Sequence, residues 1–208
     1  MDNQKANVCE ELIHGLDANM LVANLWSTGK CFMRHAIAQY PVDLILWDIF
    51  LTSRPTIRSV VELGSAAFGL SLYLALQCYQ RGLEFRTFDI NASNNLNSPL
   101  SNLVKLRNNF IMGDIFGDVR EQLTLLLRYG LPHPILLYCD DGDKPREFKG
   151  FVPCLRAGDY VGVHDWGREI DEDDVSIFGD AVVPLYWDMW RQLGSITRFM
   201  KVMKDIEP

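Results

Sequence analysis

Five apolar stretches of this chain each run into an acid, at a spacing of about 25 residues. They are SVVELG into Glu62, FRTFDI into Asp89, FIMGDIF into Asp114, ILLYCDDGD into Asp140 and Asp141, and YVGVHDW into Asp165. The spacing is that of one strand, one crossover helix and two short loops. Parallel strands joined by right-handed crossovers all point the same way. The acids are therefore expected along one edge of the sheet, the carboxyl edge, where open α/β sheets bind ligands. Clustered like charges repel, so this edge is suited to hydroxyls, a cation or both.

The same pattern places the elements. Strands are predicted over residues 59–63, 84–89, 109–113, 134–139 and 159–164, with helices over 69–81, 118–129 and 145–156. ILLYC is continuously apolar, as a central parallel strand requires. Residues 91–107 read as an Asn/Ser-rich loop with a short helix, and VVPLYW and SITRFMKVM as two closing strands around a WDMWRQLG link. Residues 1–58 show helical spacing without strand alternation. Pro41 suits a first helical turn, and Arg54-Pro55 breaks the run. This part reads as an N-terminal helical cap, within the same domain as the sheet of residues 59–208. REIDEDDVSIFGD reads as a solvated acidic face.

A chain of 208 residues buries an ample core in one domain. Its net charge of −7 argues against a nucleic-acid backbone as the main partner, which needs a Lys/Arg surface. Cys9, Cys31, Cys78, Cys139 and Cys154 are odd in number and lack CxxC spacing, pointing to reduced thiols, no zinc site and a cytoplasmic location. MDNQKANVCEEL does not read as a signal peptide, and the apolar run from Ser65 to Tyr79 is too short for a membrane span.

The first strand-to-helix turn is Glu62-Leu63-Gly64-Ser65-Ala66-Ala67-Phe68-Gly69. Its glycines allow close approach of a ligand to the backbone. It is not the GxGxxG of dinucleotide sites, and the carboxylate ahead of it disfavours a diphosphate and favours an ammonium group or a hydroxyl. Asp89 ends the second strand, where an acid accepts from ribose hydroxyls. Asp114 ends the third, where a carboxylate can accept from an adenine amino group. Together the three describe a pocket for an adenosine with a cationic extension.

On VELGSAAFG, FRTFDI, MGDIF, ILLYCDDGDKPREFKGFVPCLRAGDYVGVHDW and the closing strand pair, the chain resembles the class I S-adenosylmethionine-dependent methyltransferases. AQYPVDLILWDIFLTSRPTIRSVVELG is similar to the lead-in of the cephalosporin-hydroxylase and macrocin-type O-methyltransferase branch. The resemblance implies a Rossmann-like α/β methyltransferase sheet of seven mostly parallel strands, the last antiparallel. It implies S-adenosylmethionine as donor, with Glu62, Gly64, Ser65 and Gly69 at its methionine part, Asp89 at the ribose, Asp114 at the adenine, and Ile90, Ile115 and Asp140 beside them. Gln39 and Asp43 would reach the donor.

In the metal-dependent branches, acids at the fourth and fifth strand ends hold a divalent cation, magnesium or another. The corresponding residues here are Asp140, Asp141 and Asp165. Such a cation binds hydroxyls and lowers their pKa. Two registers fit: Asp141 on the cation with Lys144 as general base, or Asp140 on the cation with Asp143 in the base position. A lysine beside a cation is expected to have its pKa lowered. His164 stands where the branch carries an acid. It is either a ligand, favouring softer metals than magnesium, or itself the base. Trp166, Trp187 and Trp190 either wall an acceptor pocket or pack in the core. The expected acceptor is a small molecule, a sugar or natural-product hydroxyl, with no membrane partner; a homo-oligomer is compatible. The competing readings are a methyltransferase-like binding module without turnover, and a nicotinamide oxidoreductase, disfavoured by the missing GxGxxG.

Overall fold

The computed structural model describes residues 31–206, apart from 33, 34, 38, 93–95, 97 and 98. The expected helix within CEELIHGLDANMLVANLW lies outside the described residues. Cys31–Phe32 (β1) and His35–Ala36 (β2) form a small antiparallel pair, where helix was expected. Backbone pairing there outweighs weak helical periodicity. Pro41–Ser53 (α1) is helical as the spacing predicts, and its first turn is tied by the Tyr40 N–H donating to Asp43 Oδ2 at 3.0 Å.

The main sheet contains Ser59–Leu63 (β3), Glu84–Asp89 (β4), Phe110–Met112 (β5), Ile135–Cys139 (β6), Tyr160–Val163 (β7), Val182–Leu185 (β8) and Arg198–Val202 (β9). Their order is β5-β4-β3-β6-β7-β9-β8. Strand β9 runs antiparallel to both neighbours, and the remaining pairings are parallel. Gly69–Arg81 (α2) follows β3. Pro99–Leu103 (α3) and Leu106–Asn109 (α4) lead into β5, and Arg120–Leu125 (α5) runs on into a π turn over Leu126–Gly130. Lys144–Phe151 (α6) follows β6, Glu172–Ser176 (α7) follows β7, and Trp187–Gln192 (α8) joins β8 to β9.

Alternation along the strands divides the core between the two faces of the sheet. One face carries Val60, Leu136, Tyr138 and Phe199 against α1 and α2. There Trp47 of α1 meets Tyr138 and Phe199 edge-on, both at 4.8 Å, and Phe50 stacks on Phe199 at 4.0 Å. The other face carries Val61, Leu63 and Leu137 against Leu123 and Phe148. From β3 the chain adds β4 and β5 on one side and then β6 and β7 on the other, so the crevice beyond the carboxyl ends of β3 and β6 is the switch point where such sheets take ligands. Among the described residues, no helix is long and apolar enough to cross a membrane.

Candidate active site

The β3–α2 turn stands at that switch point. Gly64 has φ +87°, and a Cβ there would lie 2.4 Å from the Asp140 carbonyl oxygen, so only glycine fits. Ala66 (φ +44°) and Phe68 (φ +63°) take left-handed conformations as well, though neither is glycine. The turn is held by Asp89. Its Oδ2 accepts from the Ala66 N–H at 2.7 Å and the Ser65 hydroxyl at 3.3 Å, and its Oδ1 from the Asn91 N–H at 2.9 Å. Phe68 is wholly buried, edge-on to Phe110 at 5.1 Å, so its ring belongs to the core. Beside the turn is a cavity of about 360 Å³, lined by Ile37, Gln39, Gly64, Ser65, Gly69 and Asp140 among others.

Glu62 does not line this cavity. It lies wholly buried within the sheet, its Oε2 accepting from the Thr87 hydroxyl at 2.6 Å, and burial pushes its carboxyl up to about 8. Asp114 is exposed and accepts from the Phe116 N–H at 2.8 Å. Ile115 is buried in the core, while Ile90 is largely exposed. Asp141 is half-buried. Burial, and then the charges of Asp89 and Asp114, raise its carboxyl to about 6.

Asp140, His164 and Asp165 form a second group, each offering a ligand atom within 4.8 Å of the others. His164 Nδ1 lies 3.1 Å from Asp140 Oδ1 and 3.2 Å from Asp165 Oδ2. Lys144 faces the same two oxygens, its Nζ 3.6 Å from Asp140 Oδ1 and 3.2 Å from Asp165 Oδ2, and it reaches Glu169 Oε2 at 2.8 Å. The geometry follows neither register whole: it brings Asp140 of one together with Lys144 of the other, four residues apart in sequence. Asp141 is outside the group. Asp143 is exposed and caps α6, accepting from the Arg146 N–H at 3.2 Å.

Burial works to lower both cationic groups, but their carboxylate neighbours outweigh it. His164 is raised by Asp140, Asp165 and Asp43, and Lys144 by Glu169, Asp140 and Asp165. Lys144 is thus held as an ammonium by these three carboxylates.

Residues distant in sequence support the group. The Gln39 amide donates to Asp140 Oδ2 at 2.6 Å, leaving Oδ1 to face Lys144 and His164. Asp43 does not line the cavity; it is buried and accepts from the Ser195 hydroxyl, tying α1 to the link before β9. Glu147 was not foreseen: buried on α6, it accepts from the Asp141 N–H at 3.1 Å and shapes the loop after β6. Nor was Glu169, which sits inside the stretch read as solvated surface. Its one legible signal is its place four residues after Asp165. Trp190 is core, its indole N–H donating to the Leu185 carbonyl at 2.6 Å, and Trp166 packs half-buried against the second core. Trp187 opens α8.

The strand order, the antiparallel β9 and the switch-point turn define a class I methyltransferase fold. The chain superposes on a structure of cmcI with Mg and SAM at a TM-score of 0.59 and 15% identity, covering 80% of this chain and 74% of that one. A structure of cmcI with SAH gives 0.55 and 16%, covering 82% and 80%. Cofactor-bound Rv0187 from MTB gives 0.51 and 12%, covering 96% and 95%. At these identities the likeness is one of fold. No protein-family model and no curated protein matches the chain.

Proposed function

We propose that this protein is an S-adenosylmethionine-dependent methyltransferase acting on an oxygen of a small molecule, a sugar or natural-product hydroxyl. The observation that carries this reading is the double place of Asp140. It lines the cavity beside the glycine turn and is also a member of the group with His164, Asp165 and Lys144. A donor in that cavity and an acceptor at that group would meet at one carboxylate. The fold shared with cmcI, described with SAH and with Mg and SAM, supports the donor class.

The chain's own contribution is positioning and charge. Gly64 lets a ligand approach the backbone, and Asp89 holds the turn and offers a ribose acceptor. The methionine side would rest on Ser65 and Gly69, and the adenine side near Asp114, Ile90, Ile115 and Asp141. S-adenosylmethionine supplies a sulfonium methyl for in-line transfer. The acceptor's proton passes to the group formed by Asp140, His164, Asp165 and Lys144. Lys144 stays charged within it, and Gln39 orients Asp140.

The donor atoms suit a divalent cation. Two ligand atoms at right angles on an ion at about 2.1 Å are about 3.0 Å apart, close to the 3.1 and 3.2 Å separations of His164 Nδ1 from its two carboxylate oxygens. Asp140, His164 and Asp165 would hold such an ion, which would supply Lewis acidity toward a hydroxyl.

Calorimetric titration of the full chain with S-adenosylmethionine and S-adenosylhomocysteine tests the reading. Both should bind, and Asp89→Ala should weaken both by about 1–3 kcal/mol. Binding of neither by the unsubstituted protein overturns it. Incubation with radiolabelled donor and a panel of sugar and phenolic hydroxyls then identifies the acceptor.

A further inference from the structure

The group at the ends of β6 and β7 departs from an all-oxygen cation site in one respect: its most enclosed donor is a nitrogen. The His164 side chain is only 5% exposed, against 13% for Asp140 and 20% for Asp165. Its Nδ1 is directed between the two carboxylates, and the His164 N–H donates to the Cys139 carbonyl at 3.2 Å, continuing the ladder beyond β7. The imidazole is thus set by the sheet and has little freedom to withdraw. Magnesium favours oxygen donors and keeps its waters, whereas manganese, cobalt and zinc accept imidazole readily.

The second feature is competition. Asp140 Oδ1 and Asp165 Oδ2, the oxygens nearest His164 Nδ1, are the same atoms that face the Lys144 ammonium. Any cation entering here shares them with Lys144 or displaces it. Glu169 offers the displaced ammonium a partner, already at 2.8 Å and on a side chain nearly half exposed.

We propose that Asp140, His164 and Asp165 form a site for a divalent cation of the manganese–cobalt–zinc class in preference to magnesium, bound in exchange for the contacts of Lys144 with Asp140 and Asp165. The proposal deepens the functional reading above, yet its binding step is measurable without a methyl donor.

The test is titration of the chelator-treated full chain with manganese and with magnesium, by calorimetry, alongside pulsed electron spin resonance of the manganese-loaded protein. Manganese should bind about 10-fold or more tightly than magnesium, and its spectrum should show coupling to an imidazole nitrogen. His164→Asp should abolish that coupling and narrow the preference to within about 3-fold. Lys144→Gln should tighten manganese binding by about 10-fold, because a nearby positive charge is removed. Equal or tighter magnesium binding, a spectrum of the unsubstituted protein without nitrogen coupling, or no binding of either metal overturns the proposal. The spectrum needs no variant, so misfolding of His164→Asp does not obscure the result. S-adenosylhomocysteine affinity, measured in the same preparation with chelator, reports separately on the donor site.

Discussion

At Gly64 a single hydrogen atom in place of a side chain sets how closely two strand ends can approach. A methyl group there would collide with the Asp140 carbonyl at 2.4 Å while also straining a φ of +87°. Gly64→Ala is expected to cost about 2 kcal/mol or more in urea unfolding, and to weaken S-adenosylhomocysteine binding, since the backbone can relieve the clash only by opening the β3–β6 crevice. Glu62 permits a prediction with a definite sign. Burial raises its carboxyl from its ordinary 4.5 to about 8. Between those values the folded protein holds the proton and the unfolded chain does not, so this group's contribution to stability falls as pH rises. The decline is at most about 1.4 kcal/mol per pH step. Glu62→Gln removes the ionisation and keeps an acceptor for Thr87. Its urea midpoint should vary less than that of the parent between about pH 5 and pH 8, and at the upper end the variant should be the more stable, by up to about 4 kcal/mol. Parallel pH profiles for the two proteins would contradict this account.

At the scale of elements, the loop from β6 into α6 assigns different work to consecutive acids. Asp140 faces His164 and Lys144, Asp141 is tied through its N–H to Glu147, and the exposed Asp143 caps the helix. Asp143→Ala should therefore lower stability by about 1 kcal/mol, the worth of an N-cap, while S-adenosylhomocysteine affinity stays unchanged. A loss of methyl transfer with stability intact would restore Asp143 to the chemistry. The strands were legible in the sequence because a buried parallel strand is a short apolar run ending in a turn, and five such runs recur in order. The division of labour within DDGDK was not, because a tight turn rotates neighbouring side chains in unrelated directions, and no periodicity records those directions. The short β1–β2 pair was missed for a related reason: two residues per strand carry no alternation to read.

Across the whole molecule, the carboxyl edge gathers more negative than positive charge, as the regular placing of acids implies. Asp89, Asp114, Asp140, Asp141, Asp165 and Glu169 stand there against Lys144 and the exposed Arg168. A cationic sulfonium donor should feel this field and its neutral product should not. Affinity for S-adenosylmethionine is accordingly expected to fall more steeply with added salt than affinity for S-adenosylhomocysteine, in titrations between low salt and about 0.5 M. Identical salt slopes would show that the edge is neutralised before the donor arrives.

By itself the sequence determined the α/β class, the crossover spacing, the carboxyl edge and the acids along it, because hydrophobic burial and chain direction act through local patterns. Only the tertiary structure decided which acids meet. Gln39 reaches Asp140 across 101 positions, and Ser195 reaches Asp43 across 152. His164 and Lys144 converge on shared oxygens from different strand ends, and Glu169 returns from an acidic surface stretch to complete the group. Short-range electrostatics depends on distances of a few ångströms, and those are set by how the sheet and its loops pack.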